Sequence, residues 1–92
     1  MSTEQLYVYF KPDAAAAAAG LAPWLDTARA LREATPGLQL QCLTRLGVTG
    51  ATWMETYAGL ALPELEAAHA HMALHTQALG VQRHIEVFSR AA

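Results

Sequence analysis

The chain has 92 residues, of which 53% are hydrophobic and 15% charged, with a formal net charge of −2. That length supports one domain, spanning 1–92, with a modest core, and that balance excludes intrinsic disorder. The cations Lys11, Arg29, Arg32, Arg45, Arg83 and Arg90 are scattered, so no basic stripe exists to neutralise phosphates and no nucleic-acid partner is expected.

In chain order, Leu6-Tyr7-Val8-Tyr9-Phe10 is rich in strand formers and stops at Lys11-Pro12. Asp13 suits an N-cap for a helix that opens at Ala14 and ends at Thr35, before Pro36-Gly37. Gly20 and Pro23 predict a kink or a frayed first stretch in it, and Leu21, Trp24, Ala28 and Leu31 mark its core face. Residues 38–42 alternate as a half-buried strand, Gly47 to Gly50 supply a turn, and residues 52–57 read as a third strand. Pro63 opens a second helix that runs to about Leu79 and stops at Gly80. His84-Ile85-Glu86-Val87-Phe88 is the last strand. The order is βαββαβ, an α+β, ferredoxin-like plan: a four-stranded antiparallel sheet with both helices on one face.

Alternation sorts the strand residues into faces. Leu6, Val8, Phe10, Leu38, Leu40, Cys42, Ile85 and Val87 should lie under the helices. The single cysteine, Cys42, then reads as a small buried hydrophobe. Tyr7, Tyr9, Lys11, Gln39, Gln41, Leu43, His84, Glu86 and Phe88 take the other face. With Trp53 and Tyr57 added, that face would carry about five aromatics, an apolar patch that needs cover, and a second copy packed sheet on sheet supplies it. A homodimer is therefore expected, with Tyr7, Tyr9, His84 and Phe88 on the dimer face.

The third strand fits either orientation. With Trp53 and Tyr57 on the tyrosine face, the exposed aromatic surface grows, and Glu55 pairs with Lys11 or an arginine. With the strand turned over, Trp53, Glu55 and Tyr57 line the space under the helices. A carboxylate among aromatics there has a raised pKa, as a general acid or base requires.

All four histidines fall late in the chain: His69, His71, His75 and His84. On the second helix Leu65, Ala68, Met72 and Leu79 define a buried stripe on which His75 falls, with His69 and His71 flanking it. His71 and His75 have the spacing that places two imidazoles on one metal. Met72 stands where zinc-protease helices carry glutamate, and a third ligand would have to be His84 or Glu55. No metal and no cofactor is expected. The candidate catalytic residues are Glu55 and His75, with Trp53, Tyr57 and His71 as candidate pocket residues for a small apolar or aromatic molecule.

Glu55-Thr56-Tyr57, followed by residues 63–69 and then His75, resembles the third strand and second helix of antibiotic-biosynthesis monooxygenase-like domains. These belong to the dimeric α/β-barrel superfamily. A likeness over nearly the whole chain, carried by residues 6–9, 35–38, 52–57 and 83–88, is to a family of small, mostly betaproteobacterial domains of unknown function. The superfamily resemblance implies dimers whose sheets face each other and ligand pockets between sheet and helices. Some members oxygenate quinols or polyphenols without a cofactor, and others bind or degrade haem. Carried over by residue, it reaches Glu55, Tyr57, His69 and, loosely, His75. The asparagine used in cofactor-free monooxygenase sites has no counterpart, because the sequence contains no Asn.

Three functions are consistent with these residues: a homodimeric binder of a small apolar or aromatic metabolite, a cofactor-independent monooxygenase-like enzyme, and a non-catalytic interaction module. The first five residues lack the features of a signal peptide, and no apolar run approaches the ~20 residues that span a bilayer. A cytoplasmic protein with no membrane partner is the expectation.

Overall fold

The computed structural model describes residues 4–91, so the expectation for the first three residues lies outside it. The elements are β1 (Glu4–Phe10), α1 (Ala14–Ala34), β2 (Gln39–Gly47), β3 (Gly50–Ala58), α2 (Leu62–Thr76) and β4 (His84–Ser89). A 3₁₀ turn, Gln77–Leu79, follows α2 and ends at Gly80 in the left-handed region. All strand pairs are antiparallel, in the order β2-β3-β1-β4, which is the ferredoxin-like plan.

Local chemistry accounts for the element ends. The Asp13 carboxylate accepts the Ala16 N–H at 2.8 Å and caps α1 at its first turn. The helix is not frayed there and runs on through Pro23 to Ala34. Gly59 turns the chain from β3 toward α2 with φ 94°; a Cβ at this position would lie 2.3 Å from the Gly37 carbonyl oxygen. Only glycine fits that backbone approach.

Register stacks the inward side chains in rows across the sheet. Leu40, Tyr57, Leu6 and Val87 form one row, and Cys42, Glu55, Val8 and Ile85 the next. Thr44, Trp53 and Phe10 form the third. Trp24 and Ala28 of α1 and Leu65, Ala68 and Met72 of α2 close over these rows as one core. The orientation of β3 is therefore settled: Trp53, Glu55 and Tyr57 point at the helices and are buried.

Several sequence expectations are corrected. Leu21 is exposed, and Gly20 takes the buried place, because the α1 stripe steps through Gly20, Trp24 and Ala28. A Cβ on Gly20 would meet Leu79 Cδ2 at 2.6 Å, so the missing side chain lets the 3₁₀ turn after α2 approach α1. The buried α2 stripe is Leu65, Ala68, Met72 and Thr76; His75 is exposed one residue off it. Ile85 and Val87 do share the inward face, yet they remain 49% and 51% exposed. They sit on the edge strand β4, all of which is exposed, because the helices leave that edge uncovered. β2 and β3 are also longer than expected and meet in a two-residue turn at Val48 and Thr49, where Leu46 and Val48 are exposed.

Candidate functional site

The most polar point of the interior is Glu55. β3 drives this carboxylate into the core between Trp53 and Tyr57, and its cost of burial is met by four donors. Arg83, from the connection between α2 and β4, grips it with both arms: Nη2 donates to Oε1 at 2.5 Å and Nη1 to Oε2 at 3.1 Å. Such a bidentate, charge-assisted pair fixes both position and plane. The Tyr57 hydroxyl donates to Oε1, and the Trp24 indole N–H donates to Oε2 at 2.7 Å. A carboxylate has about four acceptor positions, and here all are filled.

Arg83 is held in turn. Its Nη1 donates to Thr76 Oγ1 at 2.9 Å, and its Nε donates to His69 Nε2 at 3.4 Å. The guanidinium carbon lies 5.2 Å from the centroid of the Phe10 ring, a cation–π contact. Thr76 also bonds back to the Met72 and Ala73 carbonyls, so α2 presents its hydroxyl in a fixed direction. Aromatic rings wall the pair: Trp24 stacks on Trp53 at 4.5 Å, and Phe10 meets both edge-on.

This environment sets proton affinities. Burial, and then the Glu55 carboxylate, push the Tyr57 hydroxyl well above its ordinary value, so it stays a donor. Burial and the neighbouring Arg83 cation hold His69 below its ordinary value, consistent with a neutral ring accepting from Arg83. Burial, followed by the Glu55 charge, pushes the Cys42 thiol up to about 11, which disfavours the reactive thiolate.

Beside this network an apolar groove of about 290 Å³ opens between the first half of α1 and the end of α2. Small side chains form its α1 wall, including Ala16, Ala19 and Gly20; Trp24 and Thr76 join the groove to the network, and His75 and Leu79 complete it. The alanine-rich opening of α1 is what keeps this space empty. Larger side chains at those positions would fill it.

The candidate residues thus separate. Glu55, Trp53 and Tyr57 come together, all three buried in the interior. His75 lies in the groove, and Thr76 takes the place facing Arg83. His71 is exposed, apart from Trp53 and Tyr57. On the far face of the sheet, Tyr7 meets Phe88 edge-on and Tyr9 stacks on His84, both with centroids 5.2 Å apart. His84 therefore cannot join His71 and His75 on a metal, and among the described residues no group of three ligands exists. Sequence reasoning missed Arg83, Trp24, Thr76 and His69 as members of one network. The signal for Arg83 was present only in part: Lys11 or an arginine was expected to pair with Glu55, but across the strands on the open face rather than in the core.

No family model matches the chain, and no curated protein does. Solved structures do match its fold. A Deinococcus radiodurans protein provisionally described as an antibiotic biosynthesis monooxygenase aligns with TM-score 0.69 and 14% identity, covering 97% of this chain and 93% of that one. A variant of SnoaB, a cofactor-independent oxygenase from Streptomyces nogalater, aligns with TM-score 0.67 and 15% identity over 99% and 96% of the two chains. The de novo designed protein Foldit4 aligns with TM-score 0.71 and 5% identity over 95% and 97%. At such identities the likeness concerns the fold alone, and the designed protein shows that this fold stands without any natural activity. The chain has the ferredoxin-like fold that these monooxygenase-like proteins share.

Proposed function

We propose that the protein binds a small apolar or aromatic molecule in the groove over Trp24, as a homodimer whose copies meet through the open face of the sheet. The observation that carries this reading is the groove itself: about 290 Å³ of apolar space with one indole wall and only two polar neighbours, His75 and Thr76. Sites for small ligands have this composition, mostly apolar with a few polar groups that set orientation. The buried Glu55–Arg83 pair supports the site from behind by fixing Trp24 and Thr76. Its carboxylate is already saturated with donors, so its role in this reading is positioning.

The test is a titration with indole and with p-cresol, followed by amide NMR. Shifts should concentrate at Ala16, Ala19, Gly20 and Ala78, and Ala16→Leu, which fills the groove from the helix surface, should abolish them. Shifts confined to the sheet face, or none at millimolar probe, would refute the groove as the site.

A second reading is a cofactor-independent monooxygenase-like enzyme with His75 and Glu55 as its candidate catalytic groups. Its support is the shared fold with the Streptomyces oxygenase and the Trp24 indole between groove and carboxylate. Oxygen uptake in the presence of naphthalene-1,4-diol, lost in His75→Ala, is the result it requires.

A further inference from the structure

We propose that His71 and His75 form a two-histidine site for a divalent transition-metal ion on the exposed side of α2. The two residues are one helical turn apart and both exposed, with ring centroids 4.8 Å apart and ring planes tilted by 46°. An ion about 2.0–2.1 Å from one nitrogen of each ring, at an angle between perpendicular and tetrahedral, places the centroids about 4.5–5.3 Å apart. The observed spacing falls inside that window, so chelation needs rotation of the rings but no movement of the helix.

The surroundings favour the same reading. No described side chain hydrogen-bonds either ring, so neither is already committed. The other two histidines are: His69 receives Arg83, and His84 stacks on Tyr9 on the far side of the sheet. The positions one turn before His71 and one turn after His75 are Ala67, Ala68, Ala78 and Leu79, which supply no further ligand. The site therefore offers two imidazoles and leaves the remaining coordination positions to water. That is an exchangeable site, unlike the closed four-ligand sites of structural zinc. Imidazole pairs suit Cu²⁺, Ni²⁺ and Zn²⁺, with Cu²⁺ bound tightest, and discriminate against Mg²⁺ and Ca²⁺.

The site does not depend on the groove reading, although His75 borders both. The experiment is titration of the full chain with Cu²⁺ and Zn²⁺ at pH 7.5, by calorimetry and by NMR of the imidazole rings, against His71→Ala, His75→Ala and His84→Ala. One Cu²⁺ per chain should bind the wild type roughly tenfold or more tighter than either helix variant, because the second imidazole binds intramolecularly. Both ring signals should shift together with Zn²⁺ and broaden together with Cu²⁺, Mg²⁺ should affect neither, and His84→Ala should bind as the wild type does. Wild-type affinity in His71→Ala or in His75→Ala would overturn the proposal, showing only adventitious single-histidine binding. An equal loss in His84→Ala would overturn it as well. Failure of the small-molecule titration with metal binding intact would sink the groove reading alone.

Discussion

Two aromatic clusters lie back to back on this sheet, and β1 feeds both. Inward, Phe10 joins Trp24, Trp53 and Tyr57 around the Glu55–Arg83 pair. Outward, Tyr7 and Tyr9 join Phe88 and His84. The inner cluster is closed, and among the described residues no buried side-chain polar atom lacks a partner. The outer cluster ties its hydroxyls to its own strands, Tyr7 to Gln5 at 2.8 Å and Tyr9 to Glu86 at 3.1 Å, and leaves its rings partly or largely in solvent. The contrast teaches that aromatic content alone does not mark a ligand site. The inner rings are consumed in holding an ion pair, and the outer ones form a partly exposed surface.

The largest effect should come from breaking the inner cluster. Glu55→Ala strands the Arg83 cation in the core and should cost about 3–5 kcal/mol in urea unfolding. The double variant Glu55→Leu with Arg83→Met, which removes both charges, should recover most of that loss. A double variant as unstable as the single one would show that the pair is not the chief issue. Smaller is the loss from Trp24→Phe, about 1–3 kcal/mol, because it leaves one carboxylate acceptor unpaired. It should also abolish the near-ultraviolet circular dichroism of the Trp24–Trp53 stack.

The pH response should be weaker still and has a definite sign. The folded-state pKa of His69 is depressed, so the stability it supports is complete above the unfolded value near about 6.5. It declines as pH falls from there through the folded value. His69→Gln should flatten the slope of unfolding midpoint against pH between 7 and 5, approximately, where the histidine titrates. The smallest effect concerns reactivity rather than stability. Cys42, with its thiol near about 11, should react slowly with a disulfide reagent at pH 8 in the folded protein and far faster in urea.

Much of this arrangement was legible in the sequence. Alternation in β1 and in the first half of β2 gave the faces of Leu6, Val8, Phe10 and Leu40 without ambiguity. β3 was undecidable by pattern because it carries large side chains on both faces, Trp53 and Tyr57 on one and Met54 on the other. Only its register against Phe10 and Leu6 fixes the choice, and register is a long-range property. On α2 the alanine-rich composition blurs the apolar stripe, so His75 and Thr76 competed for one position, and the 3₁₀ turn after Thr76 shifts the phase toward Leu79. On β4 alternation named the face of Ile85 and Val87 but could not say whether a helix covers it. An arginine partner for Glu55 was expected, but Arg83 could not be singled out, since it lies outside any strand and 28 residues away along the chain.

The claim that the outer cluster is covered by a second copy is tested most directly by light scattering at micromolar concentration. The expected mass is twice that of the 9.9 kDa chain, falling toward one chain in Phe88→Lys, which puts a charge into the outer aromatic cluster beside Tyr7. A wild type that scatters as a single chain would contradict it.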